Sequence, residues 1–161
     1  LILRGSDVPT YVQFGKADIG IAGKDGLLEH SGDGYYEPVD LGIAKCRLMT
    51  AAPVGYNPGA GRLRVATKYT KVAREYYAQQ GRQIDLIKLY GAMELAPIMD
   101  LADEIVDIVD TGNTLKANGL EAREMITEIS SRVIVNKAAM KTKYPAIKEI
   151  LSALEESVSA K

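Results

Sequence analysis

Five consecutive residues, Asp110-Thr111-Gly112-Asn113-Thr114, have the types and the order from which a phosphate cradle is made. Thr111 and Thr114 supply hydroxyl donors, and Gly112 lets the backbone turn and come close to a ligand. The free N–H groups of a following helix would point at the anion. An acid directly before such a loop repels phosphate itself but suits the hydroxyls of a sugar that carries it. An apolar strand, an acid and then T-G-x-T therefore read as a site for a ribose 5-phosphate. The plainer alternative is a polar turn, because Asp, Asn and Gly are turn residues in any setting.

Two elements must position this loop. Ile105, Val106, Ile108 and Val109 read as a strand leading into it, and a short helix follows. Side chains alternate faces along a strand, so Asp107 and Asp110 point to opposite sides. Asp110 sits at the carboxyl end, where open α/β sheets bind their ligands, and is the candidate for the ribose hydroxyls. Asp107, mid-strand, is assigned a supporting role.

The rest of the chain reads as strands alternating with helices, which indicates an α/β fold with mostly parallel sheets. Strands are expected at Leu1 to Arg4, Ala17 to Ala22, Val39 to Ile43, Cys46 to Ala52, Leu63 to Thr67, Ile84 to Leu89, Met125 to Ile129 and Arg132 to Val135. Helices are expected after a Ser6 or Asp7 cap with Pro9 in the first turn, from Leu27, over Lys71 to Gln80, and over Glu94 to Leu101. A closing amphipathic helix from about Pro145 to Val158 is marked by Ile147, Ile150, Leu151 and Leu154. Pro53 to Gly61, dense in Pro and Gly, is the expected crossover between two lobes.

Composition narrows the function classes. Charged residues make up 25% of the 161 and apolar ones 47%, ordinary for a soluble globular protein. A net charge of −1 argues against nucleic-acid binding, and no apolar run approaches the roughly 20 residues of a membrane span. One cysteine, Cys46, and one histidine, His30, exclude an internal disulfide and make a zinc site unsupported; the single cysteine fits a reducing cytoplasm. The chain opens on Leu1-Ile2-Leu3 without an initiating Met, and is expected to lack its natural N-terminal segment.

With these motifs in place, the chain resembles ATP phosphoribosyltransferase. The matching segments, in order, are Asp7-Val8-Pro9-Thr10-Tyr11-Val12, Ala17 to Asp25, Arg64-Val65-Ala66-Thr67-Lys68-Tyr69, Lys88 to Pro97, Val109 to Leu115, and Val135 to Met140. The resemblance implies that ATP attacks C1 of phosphoribosyl pyrophosphate (PRPP) through adenine N1, releasing pyrophosphate. It implies Mg²⁺ held through the substrate pyrophosphate, and cytoplasmic histidine biosynthesis. It also implies two lobes like the type II periplasmic binding proteins with a cleft between them: residues 1–53 with 132–161, and residues 54–131 carrying the PRPP loop. The family's basic, glycine-containing N-terminal loop is not present, and the length matches the short form. That form implies a homodimer and a hetero-oligomer with a regulatory subunit related to histidyl-tRNA synthetase.

The resemblance also brings in residues that the pattern alone leaves open. Glu94 reads by itself as a helix-start acid favoured by the helix dipole; the resemblance places it, with Asp110, in the catalytic PRPP site. Arg4 takes the position of a polyphosphate-binding arginine, a role its fork suits. Lys24 and Asp25, in a turn flanked by glycines, are further candidates set against a solvated turn. His30 and Cys46 have no assigned role. Two other functions compete: a two-lobed receptor for a small anion, and a phosphoribosyltransferase acting on a free base.

Overall fold

Pro9 presets its φ for the first turn of α1 (Val8–Gln13), and Gly15 at φ +66° ends the turn that follows it. Asp7 occupies the N-cap position but makes no side-chain cap; its N–H donates instead to the Arg4 carbonyl at 2.9 Å. The computed structural model describes residues 1–160. After α1 come β1 (Ile19–Gly23), α2 (Lys24–Glu29), β2 (Tyr35–Asp40), β3 (Cys46–Pro53), β4 (Leu63–Thr67), α3 (Thr70–Gln79) and β5 (Ile84–Lys88). Next are α4 (Leu95–Ile98), β6 (Glu104–Val109), α5 (Asn113–Ala117), β7 (Leu120–Ile129), β8 (Ser131–Asn136), α6 (Lys137–Thr142) and α7 (Tyr144–Ser159).

The chain divides into two units, Leu1–Lys45 with Ile129–Lys161, and Cys46–Glu128. In the first unit, β8 lies between β1 and β2 and runs antiparallel to both. Val133, Ile134 and Val135 of β8 are fully buried. Ile134 packs with Val12, Ala22 and Leu27, while Val133 and Val135 meet the α7 stripe of Ile147, Leu151, Leu154 and Val158. Ile150, expected in that stripe, is about half exposed, because the buried seam runs through positions i, i+4, i+7 and i+11 instead. Asn136 ties this unit together. Its Oδ1 accepts from the Ala139 N–H at 2.9 Å, capping α6, and its Nδ2 donates to the Val12 carbonyl at 2.8 Å.

The second unit is a five-stranded sheet in the order β5-β4-β6-β3-β7. β4 pairs parallel with β5 and β6, as the βαβαβ pattern requires, and β3 pairs antiparallel with β6. This sheet is thus mixed, with β4–β5 and β4–β6 parallel and β3–β6 antiparallel. Met49, Ala51, Ala66, Met93, Ala96, Ile105, Val109, Leu115 and Leu120 form the core beside them. Arg64 clamps the lead-in to β6, donating from Nη2 to Asp103 Oδ1 at 2.8 Å and from Nη1 to the Asp100 carbonyl at 2.8 Å.

Three local expectations change. Leu1 to Arg4 is not a strand: Leu1 and Ile2 are almost fully exposed, and an apolar run becomes a strand only when a neighbour takes its backbone hydrogen bonds. The helix expected over Glu94 to Leu101 is the single turn α4, stopped by Asp100 at φ +54°. The Pro53 to Gly61 stretch connects β3 to β4 inside the second unit. β3 already pairs with β6, so the chain changes unit at Lys45/Cys46, and it returns at Glu128/Ile129.

Candidate functional site

Parallel strands point their carboxyl ends the same way: the register Thr67↔Lys88 aligns the ends of β4 and β5, and Thr67↔Val106 lets β6 run on three residues further, to Val109. Three loops leave from these ends: Lys68 onward, Leu89 to Glu94, and Asp110 to Gly112. This is the edge at which open α/β sheets bind ligands.

The 110–114 loop has the geometry its residues foretold. Gly112 adopts φ +81°, the left-handed region closed to most side chains, and α5 starts directly after it. The Thr111 hydroxyl accepts from the Asn113 N–H at 3.3 Å, which leaves its proton free to donate outward. Asp110, Thr111, Asn113 and Thr114 are exposed. Leu115, in contrast, is buried in the core and anchors the turn. The Asp110 carbonyl accepts from Arg47 Nη2 at 3.1 Å, so the main chain is held while the carboxylate stays available.

Asp107 lies half-buried on β6, where its Oδ1 accepts from the Ile108 N–H at 2.8 Å. Burial pushes its carboxyl above the usual range; that hydrogen bond and the Lys68 charge pull it down, and the Glu94 charge pushes it up. Asp107, Glu94 and Lys68 therefore feel one another at this edge. Glu94 occupies the N-cap position of α4 without making a cap hydrogen bond, and is half-buried. Ala92, just before it, sits at φ +51°, a conformation worth about 1–2 kcal/mol of strain for an L-residue. Buried Met93 holds the segment in place. Strain of this kind gathers at binding loops.

The remaining candidates belong to the first unit. Arg4 is exposed in the turn before α1. Lys24 is engaged: its Nζ bonds both Glu37 oxygens, at 3.0 and 2.9 Å, and Glu37 also receives Arg132 Nη1 at 3.2 Å. Ser130 and Arg132 extend this network to Asp40. The Asp25 carboxylate folds back over Gly23, into the space a Cβ there would occupy.

Sequence reasoning missed Arg47, Lys68 and Lys88. Arg47 is recognisable only once β3 is known to run antiparallel to β6, with Arg47 opposite Val109. Lys68 directly follows β4 and Lys88 is the last residue of β5, a position that marked them in advance; their Nζ atoms lie 4.8 and 5.4 Å from the Tyr69 and Tyr90 ring centres.

Comparison with known proteins gives the chain its relatives. Residues 4–156 match the family model described as ATP phosphoribosyltransferase. An ATP phosphoribosyltransferase of Saccharophagus degradans is 69% identical over 159 residues, covering 99% of this chain and 75% of that protein. The solved ATP phosphoribosyl transferase (HisG:HisZ) complex from Thermotoga maritima superposes with a TM-score of 0.92 at 38% identity, covering all of this chain and 80% of that one. The periplasmic aliphatic sulphonate binding protein of Escherichia coli, at 13% identity and a TM-score of 0.65, shares the fold.

Proposed function

The chain belongs to the ATP phosphoribosyltransferase family, and from that premise we propose that the 110–114 loop binds the ribose 5-phosphate of PRPP. The family reaction transfers the 5-phosphoribosyl group of PRPP to N1 of the adenine of ATP with release of pyrophosphate, the first step of histidine biosynthesis. The observation that carries the loop assignment is the left-handed Gly112 two residues after the exposed Asp110, with Thr111 and Thr114 exposed on either side of it.

Each residue then has a task. Thr111, Gly112, Asn113 and Thr114 hold the 5-phosphate through hydroxyls and backbone N–H groups. Asp110 accepts from the ribose hydroxyls and stabilises the positive charge that develops at C1 as pyrophosphate leaves. Glu94 lines the same pocket, with Asp107 supporting it from β6. Lys68 and Lys88 supply positive charge along the edge, and Arg4 is assigned to the polyphosphate. No nucleophilic side chain is needed, since the attacking nitrogen belongs to ATP and the leaving group is already good. Alignment and electrostatics supply the rate.

Family members use a metal ion, and the ion proposed here is Mg²⁺. Among the described residues no group of three or more His, Cys, Asp or Glu side chains converges. Mg²⁺ is commonly taken by substrate phosphates with one or two carboxylates. Asp110 and Glu94 are the carboxylates at hand, and the bound ion would neutralise the departing pyrophosphate.

The Thermotoga maritima relative is a HisG:HisZ complex, and by analogy this chain pairs with itself and with a regulatory subunit of that kind. No helix of the described residues is long and apolar enough to cross a membrane, and the proposed location is the cytoplasm. The test is calorimetric titration with Mg²⁺–PRPP of the native chain, Asp110→Asn and Thr114→Ala. Removing one charge-assisted hydrogen bond should weaken binding about tenfold or more. Unchanged dissociation constants in both variants would reject the loop assignment.

A further inference from the structure

The same sheet has a second polar concavity at its other edge, where β4 begins with Leu63 and β6 with Glu104. This cavity measures about 130 Å³, room for roughly four waters at liquid density. Thr50 and Tyr77 are buried in its wall. Glu104 also lines it and is only 7% exposed, yet among the described residues its single hydrogen bond is from Tyr77 Oη to Oε2, at 2.7 Å. Oε1 is left without a protein donor. Arg123, another lining residue, donates from Nη2 to the carbonyls of Tyr56 and Pro53, while its Nε is buried with no hydrogen-bond partner. Among the described residues Arg123 Nε is the one buried side-chain polar atom without a partner, while Glu104 Oε1 opens to the cavity, and such an orphan is rare in native folds and calls for an explanation.

The charges around the cavity come in both signs. Glu124 receives Tyr76 Oη and Gln80 Nε2, and Arg82 donates to the Gly59 carbonyl at 2.9 Å. Two carboxylates and two guanidiniums thus surround one small space. A lone anion would be repelled by Glu104 and Glu124, and a lone cation by Arg82 and Arg123. A molecule carrying both charges satisfies all four, and matches the free acceptor on Glu104 and the free donor on Arg123. We infer that this cavity is a second small-molecule site that takes a zwitterion, its ammonium group on Glu104 and Glu124 and its carboxylate on Arg123 and Arg82. The head group of a free α-amino acid has that chemistry and that size, and exposed Gln80 and Glu124 mark the open rim past which a side chain can extend.

The test follows the arginine Nε–H signals of the full chain by ¹H–¹⁵N NMR during titration with each standard free amino acid, and with methylamine and acetate as single-charge controls. At least one amino acid should produce a saturable shift of an Nε–H signal that is missing in Arg123→Lys, with neither control doing so at equal concentration. Glu104→Gln should raise that dissociation constant about tenfold or more. Should either buried variant fail to fold, Glu124→Gln on the exposed rim must still weaken binding. Thr114→Ala should leave it unchanged, so loss of PRPP binding there bears on the phosphate loop alone. No shift with any amino acid, or an equal shift with acetate, overturns the inference.

Discussion

Arg47 on β3 donates from Nη2 to the main-chain carbonyl of Asp110 at 3.1 Å, so an antiparallel neighbour of β6 holds the entrance of the phosphate loop without touching its carboxylate. Arg47 is in this sense a positioning residue. Arg47→Ala should leave the fold intact, since the side chain is exposed, and weaken PRPP binding about three- to tenfold, the worth of one hydrogen bond of this kind. The effect should fall on KM for PRPP far more than on kcat. A fall in kcat with unchanged KM would show that Arg47 does something other than hold the loop.

Gly112 at φ +81° offers a backbone test of the same loop. A Cβ there would meet only Val109 Cγ1, at 3.9 Å, so space is not the obstacle. The obstacle is the left-handed conformation, which costs an L-residue about 1–2 kcal/mol. Gly112→Ala should lower unfolding free energy by about that amount and reduce PRPP affinity, because the loop relaxes away from the phosphate. Gly112→Asn, which tolerates this conformation better, should recover part of both. Equal behaviour of the two variants in denaturant titration would remove the conformational argument.

The strand–turn–helix geometry at residues 110–114 was legible because every part of it is local: five adjacent residues, a strand before and a turn of helix after. The βαβαβ stretch from Leu63 to Val109 was legible for the same reason, as parallel strands joined by helices leave a repeating pattern. What escaped depended on pairing across sequence distance. Nothing local to Cys46 says that β3 inserts beside β6, and so neither the point of unit change nor the role of Arg47 was readable. Leu1 to Arg4 failed in the opposite sense, with a strand-like pattern that has no partner to pair with. Lys24 looked available because its partner, Glu37, is thirteen residues away on β2.

In the first unit, Asn136 is 8% exposed and serves two elements at once, capping α6 with its oxygen and holding the end of α1 with its nitrogen. Asn136→Ala removes a cap worth about 1 kcal/mol and one hydrogen bond to the Val12 carbonyl, worth about 0.5–1.5 kcal/mol more, while that carbonyl keeps the Gly15 N–H at 3.1 Å. A loss of about 1.5–2.5 kcal/mol is expected by urea denaturation. Asn136→Asp keeps the cap and loses only the donor, and should fall between the native chain and the alanine variant. An alanine variant within about 0.5 kcal/mol of native would show that the two contacts are not coupled to folding, since surface-like substitutions stay in that range.

Asp107 makes a prediction of opposite sign. Burial raises its carboxyl pKa in the folded chain above the unfolded value of about 3.9. Below that value the group is protonated in both states and contributes nothing to stability. As pH climbs through the folded pKa, the folded state must take on a poorly solvated charge, and the destabilisation becomes complete at neutral pH. Asp107→Asn keeps the Oδ1 that accepts from the Ile108 N–H and removes the charge. Its melting temperature should match that of the native chain near pH 4 and exceed it increasingly toward pH 7. If Asp107 also supports the PRPP site, the more stable variant binds Mg²⁺–PRPP less well at neutral pH, the trade expected of a charge kept for function rather than for folding. A melting-temperature gap that is flat from pH 4 to 7, or that favours the native chain, would mean that Lys68 and the Ile108 N–H outweigh burial, and that Asp107 is a satisfied strand carboxylate.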